Sequence, residues 1–258
     1  MTKKLRVANI IEEARLGGPQ VRIANVAKYI ANSIDTVVLM PINNSNEFIS
    51  LLDESRVPYK SFWMNSLSRK WKAVFLYILF FPYEVIKIAF FLRKNNINLV
   101  HVSGGSWQYK GFLAAKLSNT RVIWHLNDTY VPFVFRAFFG LLGKYVDSYI
   151  FASYRTKAYY DSFCNKNKKW SVIPAPVDTN VFSPSLIDDS ISISNTQWKG
   201  KIVIGMVANI SPVKGIDVFL NALKIVSTSS HDIVFVVIGP IYESQIKYFE
   251  TFKKNIDE

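Results

Sequence analysis

The sequence contains little cysteine and little histidine: Cys164 is the single cysteine, and there are three histidines among 258 residues. One thiol excludes an internal disulfide framework and a cysteine-rich metal site, and this usage is typical of a reducing cytoplasm. The same scarcity leaves no Ser/His/Asp set, no Cys/His pair and no metal-ligand cluster. We therefore expect chemistry that uses neither a nucleophilic triad nor a bound metal.

The first residues are not expected to form a secretory signal peptide. Their apolar run, Leu5–Ile11, is short, and Glu12 and Glu13 follow it at once, whereas a signal peptide needs a longer apolar region. This run is predicted to be the first β-strand of a cytoplasmic protein.

Hydrophobic runs of membrane-spanning length are also missing. The most apolar stretch, 71–92, is unbroken by charge only over 73–83, with Pro82 inside that run and Glu84 and Lys87 after it. A transmembrane helix needs about 20 mostly apolar residues, so we do not expect this stretch to cross a bilayer.

Acidic residues are few relative to basic ones, and the formal net charge is +12. An excess of basic residues favours an anionic partner. The candidates are a phosphorylated substrate, an acidic membrane surface and nucleic acid. The plain alternative is a charge that serves solubility alone. Nucleic acid is not expected, because the lysines are dispersed and no recognition motif accompanies them.

What the sequence does contain is an alternation of short β-branched or aromatic runs with longer helical patterns. Near-continuous apolar runs such as "IVIGMVA" and "IVFVVIG" are typical of parallel strands that helices cover on both faces. The pattern predicts an α/β fold with an open parallel sheet built from right-handed βαβ units. The predicted strands are Leu5–Ile11, Thr36–Met40, Leu99–Val102, Arg121–Leu126, Ser148–Ala152, Trp170–Ile173, Lys201–Ala208 and Asp232–Ile238.

A segment rich in proline and serine divides the chain. Residues 174–200 show little periodicity, which predicts a linker between an N-terminal domain over 1–173 and a second domain over 201–258. Two parallel strands do not form a stable covered sheet by themselves. The second domain is therefore predicted to be incomplete, or to be completed by another chain.

Two apolar stretches, 71–92 and 131–146, also carry basic residues, among them Lys87 and Lys144. Aromatic and basic residues on an outer face suit a helix that lies in a membrane interface. A helix of the protein core is the alternative, and the composition leaves both open. The stripe predicted to face the sheet is Val74, Ile78, Phe81, Val85, Ile88 and Leu92, with Tyr77, Phe80 and Phe91 pointing elsewhere.

The first candidate site is a glycine pair, Gly17–Gly18, in "EARLGGPQVRIANVAKYI". Glycine lets the backbone approach a ligand, and Pro19 suits a first helical turn. The helix N-terminus then offers free N–H groups to an anion. The spacing does not match the GxGxxG dinucleotide motif, and an ordinary tight turn is the alternative.

The second candidate is "VIWHLND", which places His125 where a buried strand ends. Ligands bind at the carboxyl ends of strands in open α/β sheets, so His125 is a candidate to contact a sugar hydroxyl or a phosphate oxygen. Asp128 is a candidate to bind a hydroxyl. The alternatives are a loop histidine satisfied by the backbone and a carboxylate that caps a helix.

The third candidate is the turn "VANISPVKG" after a later buried strand. Asn209 leaves the strand, and Lys214 and Gly215 enter the next helix. A lysine at a helix N-terminus is intrinsically unfavourable, and a shared anionic ligand would explain it. An exposed loop lysine is the alternative.

In this order along the chain, the three candidates resemble the retaining GT-B glycosyltransferases of the type-4 kind. "FASYRTKAYY", the linker "VIPAPVDTNVF" and the strand "VFVVIGP" extend the resemblance over nearly the whole chain. The resemblance implies two Rossmann-like domains, the first complete and the second reduced to its first βαβ part, with a nucleotide-sugar donor bound in the cleft between them. It also implies transfer without a metal.

The resemblance further implies roles for the candidate residues. Gly17 and Gly18 would approach the diphosphate or the acceptor, His125 would contact the transferred sugar, and Lys214 would stabilise the departing phosphate.

The chain departs from the family pattern at three places. Asn209 stands where many members have an arginine, and Ala175 replaces a common asparagine. The family's E-x7-E motif would lie beyond Glu258. These departures predict that the 258-residue chain by itself transfers little or no sugar.

The leading hypothesis is a hexosyltransferase that transfers sugar to a glycan or lipid-linked acceptor, in surface polysaccharide synthesis, at the cytoplasmic face of a membrane. The alternative is a non-catalytic, membrane-associated subunit whose donor site needs a partner chain. A sugar-nucleotide epimerase on the same fold also stays open.

Overall fold

A computed structural model describes residues 4–66, 71–183, 198–227, 232–242 and 245–257. The chain forms two compact units, unit 1 over Met1–Val177 and unit 2 over Asp178–Glu258. The division falls inside the predicted linker 174–200, of which 184–197 lies outside the described residues.

Unit 1 contains a seven-stranded sheet whose paired strands are all parallel. The spatial order is β3-β2-β1-β4-β5-β6-β7, and the α/β fold predicted from the sequence is confirmed. The strands are β1 (Leu5–Ile10), β2 (Ile34–Pro41), β3 (Tyr59–Phe62), β4 (Leu99–Val102), β5 (Arg121–Leu126), β6 (Ser148–Phe151) and β7 (Lys169–Val172).

The strand β3 was not predicted. Its sequence, "YKSF", is short and half polar, and it forms one edge of the sheet. An edge strand can leave its outer side in water, so it needs no continuous apolar run that a sequence pattern would show.

Helices cover both faces of this sheet. The helices are α1 (Gly18–Ile30), α2 (Asn46–Glu54), α3 (Trp71–Lys94), α4 (Tyr109–Leu117), α5 (Phe133–Leu142) and α6 (Tyr154–Tyr160). Ile23 of α1 and Phe48 of α2 share one buried cluster with Met40. Ile88 of α3 and Phe112 of α4 share the other cluster with Trp124 of β5.

The direction of the crossovers reverses between β1 and β4. The chain moves from β1 outward to β3, and then returns to β4 and continues outward to β7. Ligands of open α/β sheets bind at such a switch point, beside the carboxyl ends of the strands. The loops after β1, β4 and β5 therefore form the expected site edge of unit 1.

Helix α3 buries Val85, Ile88 and Leu92 as predicted, but the rest of its buried face differs from the prediction. Ile78 is 66% exposed, whereas Tyr77, which was expected to point elsewhere, is only 7% exposed. Glu84 of α3 is also buried, because internal partners satisfy its carboxylate. The buried face of α3 therefore includes Tyr77 and Glu84 beside its apolar residues.

By length and composition, α3 is the one helix in the described ranges that passes as a candidate membrane span. However, its residues Ile88 and Leu92 have no exposed surface and belong to the core of unit 1. A helix with one side in a protein core does not have lipid on all sides.

Unit 2 is a βαβ unit followed by a further helix. Its strands β8 (Ile202–Val207) and β9 (Ile233–Ile238) are parallel, with α7 (Ile216–Ser227) between them and α8 (Ile246–Asp257) after them. Ile216, Leu220 and Phe252 pack in its small core. The strands themselves are incompletely covered, and Val207 is 83% exposed.

Candidate functional site

The glycine pair lies where α1 begins. Gly17 is the N-cap of the helix and Gly18 its first residue, with no side-chain cap and no acidic residue in the first turn. Gly17 has extended backbone dihedrals that any residue adopts, and a Cβ on Gly18 would meet no atom within 4 Å. Packing does not require glycine at Gly18, and the N–H groups of a first helical turn have no partner within the helix itself.

Arg22, one turn into α1, is a functional candidate that the sequence analysis missed. The side chain is buried, with 8% of the residue exposed. Burial lowers the pKa of Arg22 to about 10, so the guanidinium is still charged at neutral pH. The available sequence signal was a basic residue next to Ile23, on the buried side of a helix that follows a glycine pair.

The guanidinium of Arg22 contacts His125. Its Nη1 lies 2.7 Å from Nδ1 of His125 and also contacts Nε2. A guanidinium can only donate, so the imidazole nitrogen that faces it must accept. Nη2 of Arg22 has no hydrogen-bond partner among the described residues.

His125 forms a stacked pair with His101 of β4. Nε2 of His101 lies 3.2 Å from Nδ1 of His125, and Nδ2 of Asn9 lies 3.3 Å from Nδ1 of His101. Burial, followed by the charge of Arg22, lowers the pKa of His101 to about 3 and that of His125 to about 2. Both imidazoles are therefore neutral at physiological pH.

This geometry qualifies the predicted role of His125. The residue is at the carboxyl end of β5, as expected, but only 3% of it is exposed. Its ring nitrogens already face Arg22 and His101. A contact between His125 and a transferred sugar stays a prediction, and it requires a neighbour to move aside.

Asp128 has internal partners. Its carboxylate accepts hydrogen bonds from the Ser106 hydroxyl, at 3.2 Å, and from the hydroxyl of Tyr160. Burial raises the pKa of Asp128 and these hydrogen bonds oppose the rise. Asp128 therefore anchors the loop after β4 through Ser106. Its binding of a substrate hydroxyl stays a prediction.

That loop contains a second glycine pair at the switch point, which the sequence analysis did not assign. Gly104 and Gly105 have φ values of +108° and +97°, a region that favours glycine. A Cβ on Gly105 would lie 2.8 Å from Oδ2 of Asp128. Glycine is therefore required here for the close approach of the loops after β4 and β5.

A separate buried network joins the loop after β1 to helices α3 and α4. Nζ of Lys110 lies 2.5 Å from the carboxylate of Glu84, and both side chains are fully buried. The backbone N–H of Lys110 and the Tyr77 hydroxyl donate to the carboxylate of Glu12, at 2.7 and 3.2 Å. The side-chain amide of Asn65 donates to the carboxylate of Glu84, and the backbone carbonyl of Asn65 accepts from the ammonium of Lys110.

The electrostatics of this network centre on Glu12. Burial raises the pKa of the Glu12 carboxyl to about 7, although the Lys110 charge opposes the rise. The cluster contains two carboxyl groups and one buried ammonium. A proton on Glu12 therefore makes the cluster electrically neutral.

In unit 2, Lys214 does not begin the helix. Pro212–Lys214 forms a separate 3₁₀ turn, and Gly215, with φ +70°, joins it to α7. Lys214 is exposed, and Asn209 donates from Nδ2 to the Ser211 hydroxyl at 3.3 Å. The predicted roles of Asn209, Lys214 and Gly215 stay predictions.

Gly239 supports this turn from the end of β9. A Cβ at Gly239 would lie 2.0 Å from the carbonyl oxygen of Ala208, which excludes any other residue without a backbone shift. The N–H of Ile210 donates to the carbonyl of Pro240. The ends of β8 and β9 are thus held together beside the turn.

Comparisons with known proteins agree with this architecture. The chain superposes on HepE from Anabaena, solved with UDP and glucose, with TM-score 0.77 and 17% identity, covering 98% of this chain and 66% of HepE. It superposes on a glycosyltransferase from Rickettsia africae with TM-score 0.73 and 18% identity, covering 98% and 65%. S. aureus MnaA, solved with UDP, gives TM-score 0.63 and 14% identity, covering 97% and 65%.

At these identities the likeness concerns the fold, and the chain spans about two thirds of the length of each of these proteins. No curated protein sequence matches the chain. The family model described as Glycosyltransferase Family 4 matches residues 16–181, which include the Gly17–Gly18 loop and His125 and make up more than half of the chain. The chain belongs to Glycosyltransferase Family 4.

Proposed function

We propose that the protein transfers a hexose from a nucleotide-sugar donor to a glycan or lipid-linked acceptor in surface polysaccharide synthesis. The observation that carries the proposal is the site edge of unit 1, where the uncapped N-terminus of α1 and the buried charge of Arg22 occur in a chain of this family. Helix N-termini and guanidinium groups both stabilise phosphate, which a nucleotide sugar supplies.

In this proposal Lys214 of unit 2 stabilises the negative charge of the departing phosphate. The residue is exposed and immediately precedes Gly215 and the N-terminus of α7, so its ammonium group is accessible to a ligand. Removing one such stabilising group lowers kcat by roughly a hundredfold to a thousandfold.

A donor screen with Lys214→Ala tests this role. UDP-, GDP- and ADP-sugars are offered to the whole protein, and release of nucleotide is measured for wild type, Lys214→Ala and the control Lys253→Ala, an exposed lysine of α8. We expect a large loss for Lys214→Ala alone. Equal turnover of the three proteins would remove Lys214 from the mechanism, and no turnover with any donor would reject glycosyl transfer.

We further propose that the reaction needs no metal, since basic side chains and helix N-termini would neutralise the diphosphate instead. Turnover in the same screen should be unchanged in EDTA. Loss of activity in EDTA that Mg²⁺ restores would contradict this part of the proposal.

We also propose that unit 1 binds peripherally to an anionic membrane. The outer side of α3 exposes a row of large apolar residues beside Lys72 and Lys87, and α5 exposes further ones beside Lys144. Apolar surface of this extent is uncommon on a monomer in water, and flanking lysines favour anionic headgroups. The exposed residues are Trp71, Phe75, Ile78, Leu79, Ile86 and Phe90 on α3 and Phe133, Phe138 and Leu141 on α5.

Sedimentation with anionic vesicles at low and high salt tests the membrane proposal. The variant Ile78→Ser/Phe90→Ser should lose most of the binding, whereas Tyr29→Ser, an exposed aromatic of α1, should bind as wild type does. An absence of wild-type binding at both salt concentrations would reject the proposal.

A second candidate function is a binding subunit whose donor site a partner chain completes. The exposed apolar residues Val207 and Ile202 of unit 2 favour it, because strands of a parallel sheet are normally covered. Hydrolysis of a nucleotide sugar by the purified protein alone would reject this candidate.

A further inference from the structure

A basic cavity lies at the amino edge of the sheet in unit 1, where the strands begin and the helices end. It has a volume of about 810 Å³ and is lined by residues around the start of β1 and β2 and the end of α1 and α2. Pockets that hold small molecules have volumes in this range. Its charged residues are four basic and two acidic ones, namely Lys4, Arg6, Lys28, Arg56, Asp35 and Glu54.

Two of the basic residues lack an acidic partner inside the protein. Arg6 pairs with Asp35 at 3.0 Å. Lys28 and Arg56, by contrast, form no ion pair among the described residues, and both are exposed. Their charges are therefore available to an anionic ligand in the cavity.

The backbone of Arg56 is unusual for an arginine. Its φ is +54°, in the left-handed region, and every other non-glycine residue with a positive φ in the described ranges is an asparagine. Arg56 follows the end of α2 in a Schellman motif, in which the N–H of Val57 donates to the carbonyl of Leu52. Helices α3 and α4 end at the same edge with the same hydrogen bond, and they have Asn96 and Asn119 at the equivalent position.

The left-handed conformation costs an arginine more free energy than it costs glycine or asparagine. The attraction between a cation and the C-terminal end of a helix is smaller than this cost. Positions that break a local rule are commonly functional ones. A role for the Arg56 side chain in the cavity explains why the arginine stands at this position.

Thr36 adds a buried polar group to the lining of the cavity. Only 9% of the residue is exposed, and its Oγ1 has no hydrogen-bond partner among the described residues, whereas buried hydroxyl groups are normally hydrogen-bonded. Apolar side chains, including Ala27, Ile34 and Val57, line the cavity between its charges. A matching ligand therefore has an organic body as well as negative charge.

We propose that this cavity binds a small organic phosphate monoester, with Arg56 holding the phosphoryl group and Lys28 supplying a further positive charge. The planar fork of a guanidinium matches two phosphoryl oxygens. A phosphate monoester carries close to two negative charges at neutral pH, which matches the excess of two basic residues in the lining. The site is at the opposite edge of the sheet from the Gly17–Gly18 loop, and it does not depend on sugar transfer.

Calorimetric titration with glycerol 3-phosphate tests the site. Arg56→Asn should weaken binding roughly tenfold to a hundredfold, the effect of losing hydrogen bonds to a charged group, and Lys28→Gln should weaken it less. The matched control is Lys94→Gln, which removes an exposed lysine from the last turn of α3, outside the cavity. No binding by wild type, equal binding by wild type and Arg56→Asn, or an equal loss in Lys94→Gln would each overturn the proposal.

Succinate, a dianion without a phosphoryl group, tests the class of ligand. It should bind more weakly than glycerol 3-phosphate, because the guanidinium fork and the ammonium would meet two separate carboxylates instead of one phosphoryl group. Binding of succinate as tight as that of glycerol 3-phosphate would overturn the assignment to a phosphate monoester.

The stability of Arg56→Asn separates a binding role from a structural one. Asparagine is the residue at the equivalent ends of α3 and α4, so this variant should unfold at a higher urea concentration than wild type when no ligand is present. A lower urea midpoint would show that the arginine stabilises the end of α2, and would overturn its assignment to a ligand.

Chemical shifts locate the ligand in the wild-type protein. When glycerol 3-phosphate is added to ¹⁵N-labelled protein, the amide resonances of Arg56 and Val57 should shift, and that of Gly18, at the other end of α1, should stay in place. A shift of Gly18 without a shift of Arg56 would assign the phosphate to the opposite edge of the sheet and overturn the proposal.

Discussion

Two buried polar clusters lie near the carboxyl edge of the sheet in unit 1, and they differ in charge balance. In the anchor cluster, the ammonium of Lys110 pairs with the carboxylate of Glu84, and the backbone N–H of the same residue donates to the carboxylate of Glu12. In the guanidinium cluster, Arg22 contacts the neutral ring of His125, which stacks on the neutral ring of His101. Both clusters connect loops and helices that are distant in the sequence.

The difference separates a structural role from a binding role. The anchor cluster provides each charge with an opposite charge or a proton inside the protein, so it ties α3 and α4 to the loop after β1. The guanidinium cluster retains a charge for which the described residues provide no counter-ion. A buried charge that the fold does not neutralise is a candidate for binding an oppositely charged ligand.

Lys110→Met should produce the largest effect on stability. Methionine keeps most of the packing of the lysine stem, but it removes the ammonium that lies 4.0 Å from the centre of the Tyr77 ring and leaves Glu84 and Glu12 without a cation. Breaking a buried ion pair in this way costs about 3–5 kcal/mol, measured as the free energy of unfolding in urea at pH 7.

The control for this variant is Lys116→Met. Lys116 forms an ion pair with Asp147 at 2.9 Å, and both side chains are partly exposed, so the loss should stay below about 1 kcal/mol. Equal losses in the two variants would mean that the anchor cluster does not stabilise the fold through its charges.

Glu12→Gln should stabilise the protein at high pH. Because the folded pKa of Glu12 is raised from 4.5 to about 7, its contribution is full below pH 4.5 and is lost as the pH rises through 7. Glutamine does not ionise, so the variant should exceed wild type by up to about 3 kcal/mol at pH 8 and match it near pH 4.5. Urea denaturation at the two pH values measures this difference, with a substitution of the half-buried Glu13, Glu13→Gln, as the control.

His125→Asn should reduce the loss of stability in acid. The folded pKa of His125 is lowered to about 2, so its contribution is present above pH 6.5 and is lost as the pH falls below that value. At pH 5 the wild type should lose about 2 kcal/mol through this residue, and the variant should not. Parallel curves of unfolding free energy against pH for the two proteins would contradict the buried, neutral state of His125.

Arg22→Gln should have the smallest effect on stability. Removing an unpaired buried cation relieves its desolvation, so the free energy of unfolding without ligand should change by less than about 1 kcal/mol or rise. A loss as large as that of Lys110→Met would make Arg22 a structural residue and would erase the difference between the two clusters.

The strands were largely predictable because a buried parallel strand must be apolar on both faces. This requirement identified β1 and β5 and, through the strand ends, the Gly17–Gly18 loop and His125. It did not identify β3, whose edge position tolerates polar residues. Helical periodicity gave the wrong face of α3 for Ile78 and Tyr77. In both cases the burial of a residue depended on its neighbours in space, which a local sequence pattern does not contain.

The amino-acid sequence by itself indicated the α/β class, a linker within 174–200 and the loops that end the strands, because these follow from local hydrophobic periodicity and turn chemistry. Only the tertiary structure decided which buried charges have partners. The Arg22 side chain meets His125 across 103 positions of the chain, and the backbone N–H of Lys110 meets the Glu12 carboxylate across 98. No local pattern encodes such a meeting, since the distance between two side chains is set by the sheet order and the helices that pack on it.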